Sequence, residues 1–371
     1  MGMGKIGIVT FPLEKSNVTP LCNLTDIISH LTDQVFIVTG NAGSNIVQKF
    51  KNHHFELIPH TPGSNTVTRV YNYAKTQLSI TLHMMKLSKN VDVWIFPIGG
   101  EALLPCMIFA KILRKSVIMS LTSSTESMMN HQQSSFTPIV VSFAKINYLL
   151  ADRIILYSPA LITEWNLEPY RHKILIAHRH FLDFNTFTVT TPLPDRPPLI
   201  GYIGRLSGEK GVQHFAQALP AILGDRENLR VLIGGDGQLK ETIEATLQEG
   251  GVSARVDLPG CLNQLRLLVL PSYTEGLPNI MLEAMACGTP VLATPVLATP
   301  VGAIPDVIID RKTRFIMENN SPKCIAANVV RALSSPDLER IAEDGRRFVE
   351  ENFSFEKTVE NWKRILQNPS S

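Results

Sequence analysis

Apolar runs rich in Val, Ile and Leu alternate with stretches of helical period along the whole 371-residue chain. That alternation is the pattern of parallel sheets covered on both faces by helices. In the first half it predicts strands near residues 6–11, 35–39, 93–96, 117–121, 154–157 and 174–176, with helices between them. In the second half it predicts strands near 199–203, 229–233, 255–258 and 267–270. One more comes from the tandem copies in GTPVLATPVLATPVGAIPD, which starts at Gly288 and repeats Val291 to Pro295 as Val296 to Pro300. The Pro- and Thr-rich TVTTPLPDRPPL between the halves reads as a linker, and helical period returns from Phe353 to Gln367. The expected architecture is therefore α/β with two doubly wound, Rossmann-like domains: 1–187, a linker at 188–198, then 199–355, followed by a helix at 356–371.

Two domains also suit the length, which exceeds what one compact core usually holds. Charged residues are 18% and the formal net charge is +2, so no basic field tracks a phosphate backbone and nucleic acid is not the expected partner. Five cysteines lie scattered without a C-x-x-C pair, which points to neither a disulfide framework nor a zinc site and fits a reducing cytoplasm. No run of about 18 apolar residues suggests a bilayer span. The expectation is a cytoplasmic protein, with peripheral membrane contact left open.

Gly2, Gly4 and Gly7 spell G-x-G-x-x-G but precede the first strand, whereas a dinucleotide fingerprint follows a strand and opens a helix. The candidate chemistry lies in the second half. GYIGRLSGEKG (Gly201 to Gly211) joins a strand to a helix and carries Gly204, Arg205 and Lys210. Two cations at the carboxyl end of a strand suit a diphosphate, and they also fit plain solvated loop residues. GGDG, with Gly235 and Gly237, again lets a ligand approach the backbone, or is an ordinary tight turn. In LPSYTEGLPNIMLEAMACGTP a strand leads through a turn into a helix from about Pro278 to Gly288. Free N–H groups around Leu277 to Ile280 and the positive helix end make a phosphate site. Glu283 is flanked by Ile280, Met281, Leu282, Ala284 and Met285, so the helix reads as buried all round. Its carboxylate then needs donors from a ligand or from a structural ion pair.

Glu275 and Glu283 in E-x7-E, behind G-R-L-x-x-E-K-G and G-G-D-G, make the stretch from Leu199 to about Phe353 resemble a retaining glycosyltransferase of family 4. The resemblance implies the GT-B fold, in which two Rossmann-like domains face each other and a C-terminal helix crosses back to the first. It implies that Arg205 and Lys210 hold a donor diphosphate, that Glu275 and nearby main chain hold the donor sugar, and that Glu283 accepts from ribose hydroxyls. Gly204, Gly235, Gly237, Gly276, Leu277, Pro278 and Asn279 complete the implied donor site. The implied donor is a UDP- or GDP-linked sugar, used without metal or cofactor, and the acceptor is unspecified. An epimerase of the same fold and a nucleotide-sugar-binding scaffold are the alternatives.

Several stretches depart from the family. The loop after the strand expected at 93–96 is PIGGEALLP, which makes Gly99, Gly100 and Glu101 candidates for the acceptor side, Glu101 equally fitting a first-turn helix acid. His178 and His180 sit at the hand-over between halves and read as hydrogen-bonding residues. The short 259–266 crossover is expected to run extended, without a covering helix. Only one VLATP copy can form the strand, because an odd shift would turn every side chain over.

Overall fold

The computed structural model describes residues 4–121, 137–157, 159–224, 226, 228–247, 252–253, 258–273, 278–294, 310 and 312–367. Two compact units emerge: Met1–His180 with Thr358–Ser371, and Phe181–Lys357.

The first unit is built on a parallel sheet of β1 (Ile6–Val9), β2 (Val35–Thr39), β3 (His54–Leu57), β4 (Val93–Phe96), β5 (Ser116–Ser120), β6 (Arg153–Leu156) and β7 (Ile174–Ile176). They stand in the order β3-β2-β1-β4-β5-β6-β7. The order reverses between β1 and β4, which pair in parallel with Gly7 opposite Trp94. A Cβ on Gly7 would lie 2.3 Å from the Trp94 ring, so this glycine makes room for an indole and has nothing to do with a nucleotide. Trp94, Phe96, Ile80, Met84 and Met107 anchor the core between the sheet and the helices Thr66–Leu87, Leu104–Ile112 and Thr137–Leu150. The chain's last helix, Phe355–Gln367, belongs to this unit from Thr358 onward. There Trp362 donates to the His178 carbonyl at 3.0 Å and Thr358 to that of His180 at 3.3 Å.

The second unit repeats the plan with β8 (Leu199–Ile203), β9 (Arg230–Gly234), β10 (Val252–Ser253), β11 (Leu267–Leu270), β12 (Val291–Ala293) and β13 (Phe315–Ile316), in the order β10-β9-β8-β11-β12-β13, again parallel. Its core gathers Tyr202, Phe215, Leu219, Ile233, Val269 and Phe315. The α/β class with two parallel sheets is as the hydrophobic pattern implied. Among the described residues no helix is long and apolar enough to cross a membrane.

Two local expectations are corrected, and a third falls mostly outside the described residues. The edge strand β3, HFEL, was missed because it is polar and largely open to solvent. Of the strand expected at 255–258, residues 255–257 lie outside the described residues and Leu258 opens a helix instead; a two-residue strand, β10, stands at Val252–Ser253. The crossover at 259–266 is not an extended link: Leu258–Leu262 is helical, and Leu262 at its end and Leu265 just after it are completely buried. Gly201 makes this possible, since a Cβ there would meet the Leu265 side chain at 2.8 Å.

The helix is fastened by the stretch read as a linker. Arg196, almost fully buried, donates to the carbonyls of Leu262 (3.4 Å), Leu265 (2.9 Å) and Cys287 (2.6 Å) and to the Thr289 hydroxyl (2.7 Å). A cation thus meets carbonyls left over at the ends of two helices. Asn263 ties the same corner to the chain on both sides, donating to the Thr188 carbonyl and accepting from the Thr190 amide.

Candidate functional site

The carboxyl ends of β8, β9 and β11 meet at the point where strand order reverses, the place where open α/β sheets bind ligands. Glycines determine how closely their loops lie. Gly235 has φ 145°, and a Cβ on it would sit 1.9 Å from the Gly204 carbonyl oxygen; Gly237 has φ 154° and faces the Leu206 carbonyl in the same way. The Gly204 amide donates to Gly234 and the Leu206 amide to Asp236, each at 2.9 Å. On the other flank Gly211 is left-handed at φ 67°, with its missing Cβ only 2.1 Å from the Pro271 carbonyl oxygen. The Tyr273 amide donates to the Glu209 carbonyl at 2.9 Å. Side chains at these positions would force the three loops apart.

On this surface Arg205 is exposed and Lys210 half-buried. The Arg205 guanidinium reaches Glu209 at 3.4 Å, and Ser207 donates to the same carboxylate oxygen at 2.7 Å. The Ser207 hydroxyl is the main reason that the Glu209 carboxyl is held below the usual carboxylate range. An exposed pair of this kind is worth under about 1 kcal/mol, so Glu209 restrains Arg205 only lightly against a stronger anion.

The helix Asn279–Ala286 begins behind Pro278, which has extended backbone, and ends at Cys287, with Gly288 left-handed. Met281, Leu282, Ala284, Met285 and Ala286 are buried, while Asn279 is exposed and Ile280 and Glu283 are half-buried on the remaining face. The expectation of a helix buried all round is corrected: one open stripe carries Glu283. Its carboxylate makes no hydrogen bond or ion pair among the described residues, which removes the structural ion pair as its explanation there, and burial pushes its pKa up to about 7. Beneath the helix, Arg314 is fully buried and donates to the Met281 sulfur at 2.9 Å. Glu275, Gly276 and Leu277 lie outside the described residues.

One cluster was not read from the sequence. His214, in the first turn after Gly211, hydrogen-bonds through Nδ1 to the Asn320 carbonyl at 2.9 Å. A carbonyl only accepts, so this nitrogen carries the proton and Nε2 of the neutral ring accepts from the Tyr273 hydroxyl at 3.1 Å. The Asn320 amide in turn donates to Pro271 at 3.2 Å. These residues brace the segment leading into 274–277. The signal available in the sequence was the spacing of His214 from the glycine-rich loop.

In the first unit Gly99 is left-handed at φ 67° and opens a short 3-10 turn over Gly100–Ala102. Asn147 donates to the carbonyls of Gly100 (3.1 Å) and Glu101 (2.8 Å), and the Glu101 carboxylate accepts from the Tyr148 hydroxyl. Glu101 thus has a structural partner, while Gly99 lies beside Phe11 at the end of β1. Arg179, between the two flagged histidines, escaped notice. It is buried, donates to the Pro97 carbonyl at 3.1 Å, and burial pushes its pKa down to about 10.

Comparison with known proteins bears on this arrangement. Residues 197–335 match the family model described as glycosyl transferases group 1. The capsular polysaccharide biosynthesis glycosyltransferase CapM of Staphylococcus aureus is 30% identical over 165 residues, 42% of this chain and 42% of its own length. The 2-deoxystreptamine glucosyltransferase of Streptomyces kanamyceticus is 33% identical over 105 residues, 26% and 27% of the respective lengths. This chain therefore spans less than half the length of either relative. In structure, HepE of Anabaena in complex with UDP superposes with TM-score 0.72 at 18% identity, covering 98% of this chain and 99% of that one. TarM of S. aureus, with fondaparinux, alpha-GlcNAc-glycerol and UDP, gives 0.69 at 12% identity over 99% and 100%. At such identities the likeness is one of fold.

Proposed function

We propose that this chain, which belongs to the glycosyl transferases group 1 through residues 197–335 and has the GT-B fold, moves a sugar from a nucleoside-diphosphate donor to an acceptor hydroxyl with retention of configuration. The observation that carries the reading is the set of closely apposed glycine loops at the ends of β8, β9 and β11, with Arg205, Lys210 and the open stripe of Glu283 on one unit. Backbone amides, two cations and a helix start supply positive charge for a diphosphate. As the bond from the sugar to the diphosphate breaks, negative charge grows on the leaving group, and Arg205 and Lys210 stabilise it. Glu283 accepts hydrogen bonds from the ribose hydroxyls. Because a nucleotide can remain bound while the acceptor approaches from the same face, the reading needs no protein nucleophile.

The scaffold alternative rested on a bare 259–266 crossover, and the helix Leu258–Leu262 withdraws that support. Incubation with UDP- and GDP-linked sugars, with and without EDTA, tests the proposal by release of free nucleotide. Release from one donor that persists in EDTA is the expected result. Absence of release and of nucleotide binding across the panel overturns it, and release that stops in EDTA overturns the metal-independent part.

A further inference from the structure

Residues 66–87 form the longest helix of the first unit, about 33 Å at the usual rise per residue. Ile80, Met84 and Leu87 point into the core, yet the opposite face is also apolar. Val67 (78% exposed) with Tyr71 and Leu78 (60% exposed) with Leu82 form pairs four residues apart, the second pair about two turns beyond the first, and all lie open to solvent. An amphipathic helix needs one apolar stripe for its core; this one has two.

The neighbouring helices extend the second stripe. Leu104–Ile112 packs against Thr66–Leu87 on one side and Thr137–Leu150 on the other. It exposes Ile108 and Ile112 (70% exposed), and the third helix exposes Ile146 and Leu149 (68% exposed). A layer of three adjacent helices therefore turns a broad apolar surface outward. On a soluble protein, contiguous apolar surface of this kind marks an interaction site.

Charge identifies the partner. None of the three helices contains Asp or Glu, whereas Lys75, Lys86 and Lys145 stand exposed among the apolar residues, and Arg114 and Lys115 follow directly on the second helix. Of the carboxylates at the border, Asp152 is engaged by Lys111 at 2.6 Å, and Glu56 is half-buried on β3 beside His54 (3.2 Å) and His83 (3.7 Å). Long lysine side chains can lay their methylenes along apolar neighbours and hold the ammonium above them. An apolar face studded with cations only is complementary to an anionic lipid surface, where acyl chains take the apolar residues and phosphates the ammonium groups. It fits a second copy of itself poorly, because the same cations would face each other.

We propose that the outer face of the helices Thr66–Leu87, Leu104–Ile112 and Thr137–Leu150 docks the first unit on a membrane rich in anionic phospholipid. The helices lie along the surface without crossing it. The proposal is independent of the sugar-transfer reading, because none of these side chains belongs to the donor site.

The experiment is flotation of the full-length protein with vesicles of phosphatidylglycerol and phosphatidylcholine, and with phosphatidylcholine alone, at low and high salt. Two variants accompany it, Leu78→Ser/Ile112→Ser/Leu149→Ser and Lys75→Glu/Lys86→Glu/Lys145→Glu, each checked for an unchanged melting temperature. The expected result is salt-sensitive flotation with the anionic vesicles only, reduced on the order of tenfold or more in each variant. Should a variant melt early, the corresponding single changes at Ile112 and Lys86 replace it. Failure of the parent to float with anionic vesicles at low salt overturns the proposal, as does flotation unaffected by either set. A concentration-dependent dimer that the serine variant abolishes, without vesicle binding, assigns the face to a second copy instead.

Discussion

Glu283→Gln separates what a carboxylate does for the empty fold from what it does for a ligand. In the native protein burial raises its pKa from the ordinary 4.5 to about 7. Between those values the native state binds more protons than the unfolded chain, so stability falls as pH rises through this window and the loss is complete above about 7. At about 1.4 kcal/mol per tenfold change in proton affinity, the full difference corresponds to roughly 3 kcal/mol; residual solvent contact trims it to about 1–3. Gln has nearly the same shape and never ionises. The variant should therefore be more stable than the parent at pH 8, by about 2–10 °C in melting temperature, and the gap should close towards pH 5. Nucleotide binding should move the other way. A charged acceptor for ribose hydroxyls is worth about 1.5–3 kcal/mol, so the variant should bind nucleoside diphosphate about 10- to 100-fold more weakly at pH 8. Parent affinity should rise with pH through about 7, and that of the variant should not. Thermal melts and nucleotide titrations at both pH values read all of this. A variant less stable than the parent at pH 8, or a gap that does not close towards pH 5, refutes the idea that Glu283 is a costly carboxylate held for a ligand.

Other perturbations test neighbouring parts of the reasoning. Gly211→Ala and Gly235→Ala place a Cβ 2.1 and 1.9 Å from a facing carbonyl at positive φ, and each should cost more than about 2 kcal/mol in urea unfolding. Gly208→Ala, with nothing within 4 Å of its added carbon, should stay within about 0.5 kcal/mol. Arg205→Ala and Lys210→Ala should lower sugar transfer on the order of 100-fold while melting with the parent; equal loss of stability and activity would make them structural. Uridine diphosphate at 100 times its dissociation constant should stabilise the protein by about 2.7 kcal/mol in the presence of EDTA, and a gain seen only with divalent metal contradicts the expected metal independence. Arg196→Met strips the carbonyls of Leu262, Leu265 and Cys287 of their donor and should cost about 3 kcal/mol or more by urea unfolding; a smaller cost means that water replaces the guanidinium.

The strands that carry the architecture were legible because they are buried on both faces and so read as continuous apolar runs; β2, β6 and β11 are buried at every position. What escaped lies at sheet edges or in long-range contacts. β3 alternates and is exposed, and β13 has only two residues. The helix at Leu258–Leu262 is short for its propensity to declare itself; it is held by Arg196, far away in a segment whose prolines look like those of a linker. The site shows the same division. Glycines that bring loops together are visible as spacing, whereas the bracing of Tyr273 by His214 depends on a fold that places residue 214 beside 273. Glu283 was flagged because its sequence neighbours are apolar, but the conclusion that every helix face is buried did not follow. Counting neighbours cannot tell which stripe packs into the core and which stays open.

The tandem VLATP copies are the limiting case, because identical segments have identical propensity and local sequence cannot choose between them. The fold chooses through β11. Leu268, Val269 and Leu270 pair with Val291, Leu292 and Ala293, and Thr294 donates to the Ser272 carbonyl at 2.7 Å. The first copy is thus the strand. The second copy, at 296–300, lies outside the described residues; what decides the choice is the pairing partner β11, which the local sequence of neither copy contains.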